Sequence, residues 1–294
     1  MQLPKRSVAR AYKQELLEAL RMRNRITLTP LLIVAVVCAA TFGNLNSTEP
    51  TTKWAAQKQV GRFHIHSDFI LPDDEPLLGE LLNISGEVSS MLAIPPDDQV
   101  IHIVLFESAK EYSRYLKFHF PKVPDRRALY IQRRSTGMLF AHWHTDVRVD
   151  IRHEVVHGIL NSQSSPLPLW LDEGLAEYFE VVEEDRMHGN PYLSQVLSGV
   201  QQGYVPSLED LERLVTIEQL GVDQYRDSWA WVHFLLHRLP ETRQLLIQHL
   251  AQHRSSSSTL PLSRLVSHSM PDWRSEFTKH FNEIAARNAK REKN

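Results

Sequence analysis

The chain has 294 residues, of which 42% are hydrophobic and 23% are charged, so it can bury one sizeable core. Its formal net charge is −2, yet residues 1–25 carry seven basic and two acidic side chains, a local charge of +5 that leaves about −7 for the remainder. An acidic body argues against nucleic acid as a partner, and the single cysteine, Cys38, excludes an internal disulfide.

The N-terminal region joins a basic leader to an uncharged apolar run. Residues 26–42 carry no charge, and about 17 residues is at the short end of what crosses a bilayer. Because basic residues crowd the N-terminal flank, the positive-inside rule puts residues 1–25 in the cytoplasm. We predict a signal anchor at 26–42 in the cell (inner) membrane, with a periplasmic or extracellular body. A signal peptide cleaved near Ala39 and Ala40 is the alternative, although its leader would be long.

The rest of the chain divides into a short linker and one folded body. Residues 43–59 are polar with scattered turn formers and are predicted to be the linker, and residues 60–294 form the body. Hydrophobic periodicity and capping patterns predict the elements of the body. In chain order they are a strand pattern near 63–69, a helix at 75–92, a strand at 100–106, a helix at 109–118 capped by Ser108, strands at 128–132 and 137–142, and helices at 147–161, 170–182, 208–219, 225–239, 241–252 and 271–288. Strands followed by helices predict an α+β fold whose sheet packs on the first long helix of the helical half.

A His-Glu-x-x-His pattern lies on the helix predicted at 147–161. Four residues advance a helix by about 400°, so His153 and His157 lie on one face, about 6 Å apart along the axis. Such a pair binds one zinc ion, and the intervening Glu154 then acts as a general base toward water. A zinc site of this kind needs a third protein ligand and keeps one position open.

The residues that follow carry a family resemblance. His153-Glu-Val-Val-His157 is followed by Trp170-Leu-Asp-Glu-Gly-Leu-Ala-Glu-Tyr-Phe-Glu180, and together they resemble the gluzincins, metallopeptidases whose third zinc ligand is a glutamate. The likeness is to the aminopeptidase N type and to bacterial peptidase MA-like domains of the same thermolysin-like clan, and it covers about residues 148–182. It implies a zincin-like domain with a small mixed sheet and a helical half, preceded here by one transmembrane helix.

Two glutamates compete for the place of the third ligand. Fifteen residues separate His157 from Glu173, fewer than the eighteen or nineteen common in gluzincins, whereas nineteen separate His157 from Glu177. Alignment on the Trp-Leu-Asp-Glu-Gly segment favours Glu173, and we adopt that assignment because loop length varies more easily than a helix start. Glu177, one turn later on the same face, is predicted to accept the outer N–H of a zinc-bound imidazole, with a solvated helix position as the alternative.

The resemblance also implies a Tyr or His from a later helix that stabilises the oxyanion of the transition state. Tyr225 is the candidate, and the alternative is a half-buried aromatic residue at a helix start. His233 and His237 repeat the four-residue spacing, but the residues between them include no glutamate, so we interpret both as packing or helix-surface residues.

His142 and His144 flank Trp143 on the strand predicted just before the metal-binding helix. In zincins an edge strand at this place holds an extended substrate by backbone pairing, which is the role we expect for this strand. A second metal site at the two histidines is the alternative.

The sequence thus predicts a membrane-anchored zinc metallopeptidase that hydrolyses peptide bonds, with Zn²⁺ on His153, His157 and Glu173. The expected partners are a peptide or protein substrate and the membrane, the latter through residues 26–42; nothing indicates the oligomeric state. The Gly-Ala-Met-Glu-Asn motif of aminopeptidase N is lacking, so recognition of a free N-terminal amine is not expected. The main alternative is a catalytically silent zincin-like module that binds a protein or peptide, and a membrane-tethered scaffold with an accidental motif is another.

Overall fold

A computed structural model describes residues 54–95, 97–133, 136–162, 166–255 and 259–291. The predicted leader, the predicted signal anchor and most of the predicted linker lie outside these ranges. Within them, no helix combines the length and the apolar character that a membrane crossing requires.

A five-stranded mixed sheet occupies the first half of the described chain. Its strands are β1 (Ala56–Val60), β2 (Phe63–Ser67), β3 (Ile101–Phe106), β4 (Ala128–Arg133) and β5 (Thr136–His142). The spatial order is β1-β2-β3-β5-β4, in which β2, β3 and β5 run parallel. The hairpins β1–β2 and β4–β5 add one antiparallel strand at each edge. Gly61 adopts a positive φ of 56° in the two-residue turn between β1 and β2, where a side chain would be strained.

Helices dominate after β5, which confirms the α+β class. The helices are α1 (Pro76–Leu92), α2 (Ala109–His119), α3 (Val147–Asn161), α4 (Leu169–Phe179), α5 (Leu193–Gln201), α6 (Leu208–Glu212), α7 (Val222–His237), α8 (Pro240–Arg254), α9 (Leu262–Ser269) and α10 (Trp273–Arg291). Ser108 caps α2 as predicted, because its hydroxyl accepts a hydrogen bond from the Glu111 N–H at 3.3 Å.

The two faces of the sheet are covered by different helices. Because side chains alternate along a strand, Phe63, Ile65 and Ile103 lie on one face, where they join the main core with α1 and α3. The opposite face carries Val104 and Phe106, which pack with residues of α2 in a smaller cluster. The predicted packing of the sheet on the first long helix of the helical half is therefore confirmed for α3.

Several boundaries differ from the prediction. Residues 56–59 of strand β1 lie inside the interval predicted as linker, because this half-buried to exposed edge strand, with three polar residues in its centre, lacks the apolar alternation that marks a strand. The helix predicted at 208–219 ends at Glu212, and a separate 3₁₀ turn follows at Ile217–Gln219. Helices α5 and α9 were not predicted, since both are short and carry few buried positions.

Candidate metal centre

Two glycines allow the helices that carry the motif to approach their neighbours closely. A Cβ on Gly158 of α3 would lie 2.9 Å from the Ile101 Cδ1 atom of the sheet. A Cβ on Gly174 of α4 would lie 2.8 Å from the Ser228 carbonyl oxygen on α7. Both distances are shorter than a carbon contact tolerates, so α3 sits tightly on the sheet, and α4 is held between α3 and α7.

The structure brings His153, His157 and Glu173 together. One donor atom from each lies within 4.8 Å of those of the other two. Glu173 Oε2 is 3.6 Å from His153 Nε2 and 4.0 Å from His157 Nε2. These separations exceed a hydrogen bond and approach the roughly 3.3 Å between two ligands of one tetrahedral zinc ion. Glu173 is 4% exposed, so the surrounding side chains hold its carboxylate in position.

On both imidazoles the second ring nitrogen, Nδ1, lies beside a carboxylate. His153 Nδ1 lies 2.9 Å from Glu180 Oε2, and His157 Nδ1 lies 2.9 Å from Asp172 Oδ2. In the neutral imidazole, a carboxylate at Nδ1 favours the proton there and leaves the lone pair on Nε2, which is the tautomer that a metal needs. The donor set of two Nε2 atoms and one buried carboxylate therefore fits a zinc ion.

Glu177 is buried at 4% exposure, which excludes the solvated alternative for this residue. It forms a second group with His153 and Glu180, in which one donor atom from each lies within 4.8 Å of the others. Glu177 was predicted to accept the N–H of the imidazole nitrogen that points away from the metal. Those nitrogens, the Nδ1 atoms of His153 and His157, lie beside Glu180 and Asp172 instead. Glu177 thus lies beside the His153–Glu180 pair.

Glu154 lies between α3 and the edge of the sheet. Its Oε2 atom accepts a hydrogen bond from the Tyr130 N–H of β4 at 2.8 Å, and the residue is 9% exposed. The predicted edge strand was β5, and this was wrong: β5 pairs with β3 on one side and β4 on the other, so β4 is the edge beside α3. His142 ends the interior strand, and His144 Nε2 pairs with Asp150 at 3.1 Å.

Neighbouring carboxylates control the charge of the two imidazoles. Burial alone would lower the pKa of His153, but Glu173 and Glu180 outweigh burial and raise that pKa well above its usual value. Burial opposes and Asp172 favours the protonated form of His157, with the result that its pKa rises to about 9. Without a cation, the centre therefore holds protons that compensate its carboxylates.

A buried arginine fixes the end of α4. Arg152 Nε donates a hydrogen bond to the Glu180 carbonyl oxygen at 2.6 Å, and the same guanidinium pairs with Glu80. Because Glu180 follows the last residue of α4, this bond holds the carboxylate of Glu180 against His153.

The remaining predicted residues lie on α7. Tyr225 is buried in the first turn of this helix. Ser228 follows one turn later, and its carbonyl oxygen lies against Gly174, the neighbour of Glu173 in the chain. His233 is buried and His237 is half-buried, and both pack between helices: His233 bonds His280 at 2.9 Å, and His237 bonds the Tyr178 hydroxyl at 2.6 Å.

Four parts of the centre were missed from the sequence: Asp172, Glu180, Arg152 and the Tyr130 N–H. The two carboxylates carry a detectable signal, because zinc-binding imidazoles almost always have an acceptor behind them and both residues lie in the acidic segment around α4. Arg152 and Tyr130 carry no such signal, since the chain path alone brings them to the site. No protein-family model and no curated protein matches the chain, so the assignment of function depends on these residues alone.

Proposed function

We propose that this chain is a membrane-anchored zinc metallopeptidase of the gluzincin type that hydrolyses peptide bonds outside the cytoplasm. The observation that carries the proposal is the convergence of His153, His157 and Glu173 in one cluster, of which His157 and Glu173 are buried, with Glu154 on the same helix as the two histidines. A structural zinc site is closed by four protein ligands, whereas three ligands leave a position for chemistry. The adjacent glutamate, Glu154, can act as a general base only if that position is open to water.

The residues that would hold the ion are His153 and His157, through Nε2, and Glu173. Zinc, when bound, supplies Lewis acidity, which polarises a carbonyl group and makes water more acidic. Asp172 and Glu180 orient the two imidazoles and keep their Nδ1 atoms protonated. The burial of this set lowers the local dielectric and strengthens each of these electrostatic interactions.

Glu154 is the general base of the proposed reaction. Its carboxylate takes a proton from the attacking water and returns it to the leaving amine. The Tyr130 N–H hydrogen bond holds the Glu154 side chain at the boundary between α3 and β4. In this proposal an extended peptide pairs with backbone groups of β4 that bond neither β5 nor Glu154, so that its scissile bond lies beside α3. Tyr225 is the proposed donor to the oxyanion.

The test is proteomic identification of cleaved termini in membranes that contain the wild-type chain or the Glu154→Gln variant. We expect a set of termini that requires Glu154, all in proteins or segments outside the cytoplasm. Glu184→Gln is the matched control, because Glu184 is an exposed glutamate and should leave the set unchanged. Identical termini for wild type and Glu154→Gln, together with no cleavage of a broad peptide library, would favour the silent partner-binding module.

A further inference from the structure

Three histidines gather on the sheet face that is opposite α3. His64 and His66 are two residues apart on β2 and therefore point to the same face. His102 on β3 is the register partner of His64, so it also lies on that face. Phe63, Ile65 and Ile101 alternate with them and point into the main core on the other side.

We call His64, His66 and His102 the sheet histidines. His102 lies between the other two. His66 Nε2 lies 3.2 Å from His102 Nδ1, and their rings stack with centroids 5.5 Å apart. The His64 ring meets the His102 ring edge-on, also at 5.5 Å. Two nitrogens bound to one tetrahedral ion at about 2.0–2.1 Å lie about 3.3 Å apart, close to the separation of the first pair.

The chemistry of the sheet histidines suits a cation. No carboxylate within the described ranges pairs with them, and His66 Nδ1 is buried without a hydrogen-bond partner among the described residues. All three side chains are half-buried and reachable from solvent.

We propose that the sheet histidines form a second metal site, which binds a divalent transition-metal ion and links β2 to β3. Imidazole ligands suit zinc, copper and nickel rather than calcium or magnesium. His66 Nε2 and His102 Nδ1 share a hydrogen bond in the structure, and they become the first two ligands when the donor ring moves its proton to its other nitrogen and a metal ion takes the place of the shared hydrogen. The sheet histidines are not within the 4.8 Å separation found at the α3–α4 centre, so the proposal requires His64 to change rotamer before it can be the third ligand.

This second site is separate from the peptidase proposal, because the sheet lies between the two metal sites. Equilibrium dialysis of the detergent-solubilised full-length chain against Zn²⁺ tests it. We expect wild type to bind one zinc equivalent more than His66→Gln or His102→Gln, and His64→Gln to bind that equivalent more weakly than wild type. His268→Gln is the matched control, since His268 is exposed on α9 and should bind as wild type does.

A second background separates the two centres. The double variant His153→Ala/His157→Ala removes the α3–α4 ligands and should still bind one zinc ion, which is lost when His102→Gln is added. A chain that binds no zinc once His153 and His157 are replaced would overturn the proposal.

Thermal unfolding provides a second measurement in case a variant folds too poorly for dialysis. Zinc added beyond the first equivalent should raise the Tm of wild type and of His268→Gln, because a ligand that binds only the folded state stabilises it. The same addition should leave the Tm of His102→Gln unchanged. An equal rise in wild type and His102→Gln would contradict a site at the sheet histidines.

Discussion

Two groups of buried and half-buried histidines differ in the charge that they carry. The α3–α4 pair (His153 and His157) has carboxylates beside it, and the pKa of each imidazole is raised. The α7–α10 cluster (His233, His237 and His280) has imidazoles, a tyrosine and arginines around it. Burial there lowers the pKa of His237 to about 4, that of His280 to about 3, and that of His233 well below its usual value.

The comparison teaches that burial does not by itself decide what a histidine does. Burial opposes the charged imidazole in both groups, but only the α3–α4 pair has carboxylates that reverse the effect. Those carboxylates favour a positive charge on the α3–α4 pair, whereas the α7–α10 cluster stays neutral and connects α4, α7 and α10 by hydrogen bonds and ring contacts. The same four-residue spacing on a helix thus leads to opposite properties.

The largest expected effect is the loss of metal from the α3–α4 pair. His153→Ala and Glu173→Ala each remove a ligand and should abolish zinc at this centre, as measured by metal analysis after dialysis. His237→Gln, which changes the second i, i+4 pair, should retain full zinc. Retention of zinc by Glu173→Ala together with its loss in Glu177→Ala would transfer the ligand role to Glu177.

The next effect separates chemistry from metal binding. Glu154→Gln should keep the ion and the fold but lose general-base assistance, so turnover should fall by about 10²–10⁴-fold. Because the amide nearly preserves the shape of the carboxylate, substrate affinity should change little. Single-turnover rates at equal zinc content provide the measurement, and equal rates for both proteins would remove Glu154 from the mechanism.

The free energy of unfolding of the metal-free protein should decrease both when the pH rises above about 6.5 and when it falls below about 6.5. The raised pKa of His157 contributes stability that is present below pH 6.5 and lost as the pH rises through about 9. The lowered pKa of His237 has the opposite sign, so stability is lost as the pH falls from 6.5 towards 4. Each shift corresponds to about 3 kcal/mol.

Urea unfolding in a chelator between pH 4 and 9 measures both slopes. His157→Gln should flatten only the alkaline side of the profile, and His237→Gln should flatten only the acid side. A profile that both variants leave unchanged would show that these imidazoles do not control the pH dependence.

The smallest effect concerns the carboxylates behind the imidazoles. Glu180→Gln and Asp172→Asn should each weaken zinc binding by about 10–100-fold without abolishing it, because the amides orient the imidazoles but carry no charge. Competition with a chromophoric chelator gives the affinities. Glu177→Gln is the comparison variant, and a larger loss there than in Glu180→Gln would return the outer role to Glu177.

The sequence alone determined the features that depend on local spacing. Helix periodicity predicts α3 over Val147–Asn161, with His153 and His157 on one face, because their separation matches one turn. The segment after the loop predicts a second helix with Glu173 near its start, which the structure has as α4. The α+β class follows from the order of strand and helix patterns, since the period of the apolar residues differs between the two kinds of element and can be read locally.

Only the tertiary structure decided the contacts between elements that are distant along the chain. The burial of Glu177, the pairing of Glu180 with His153 and the identity of β4 as the edge strand depend on how α3, α4 and the sheet pack. His64-x-His66 is visible in the sequence, but its partner His102 is 36 residues away from His66 and joins it only through the β2–β3 register. Local spacing specifies which side chains share a face of a helix or strand. The tertiary fold specifies which other elements pack against that face, because the packing free energy depends on the whole core.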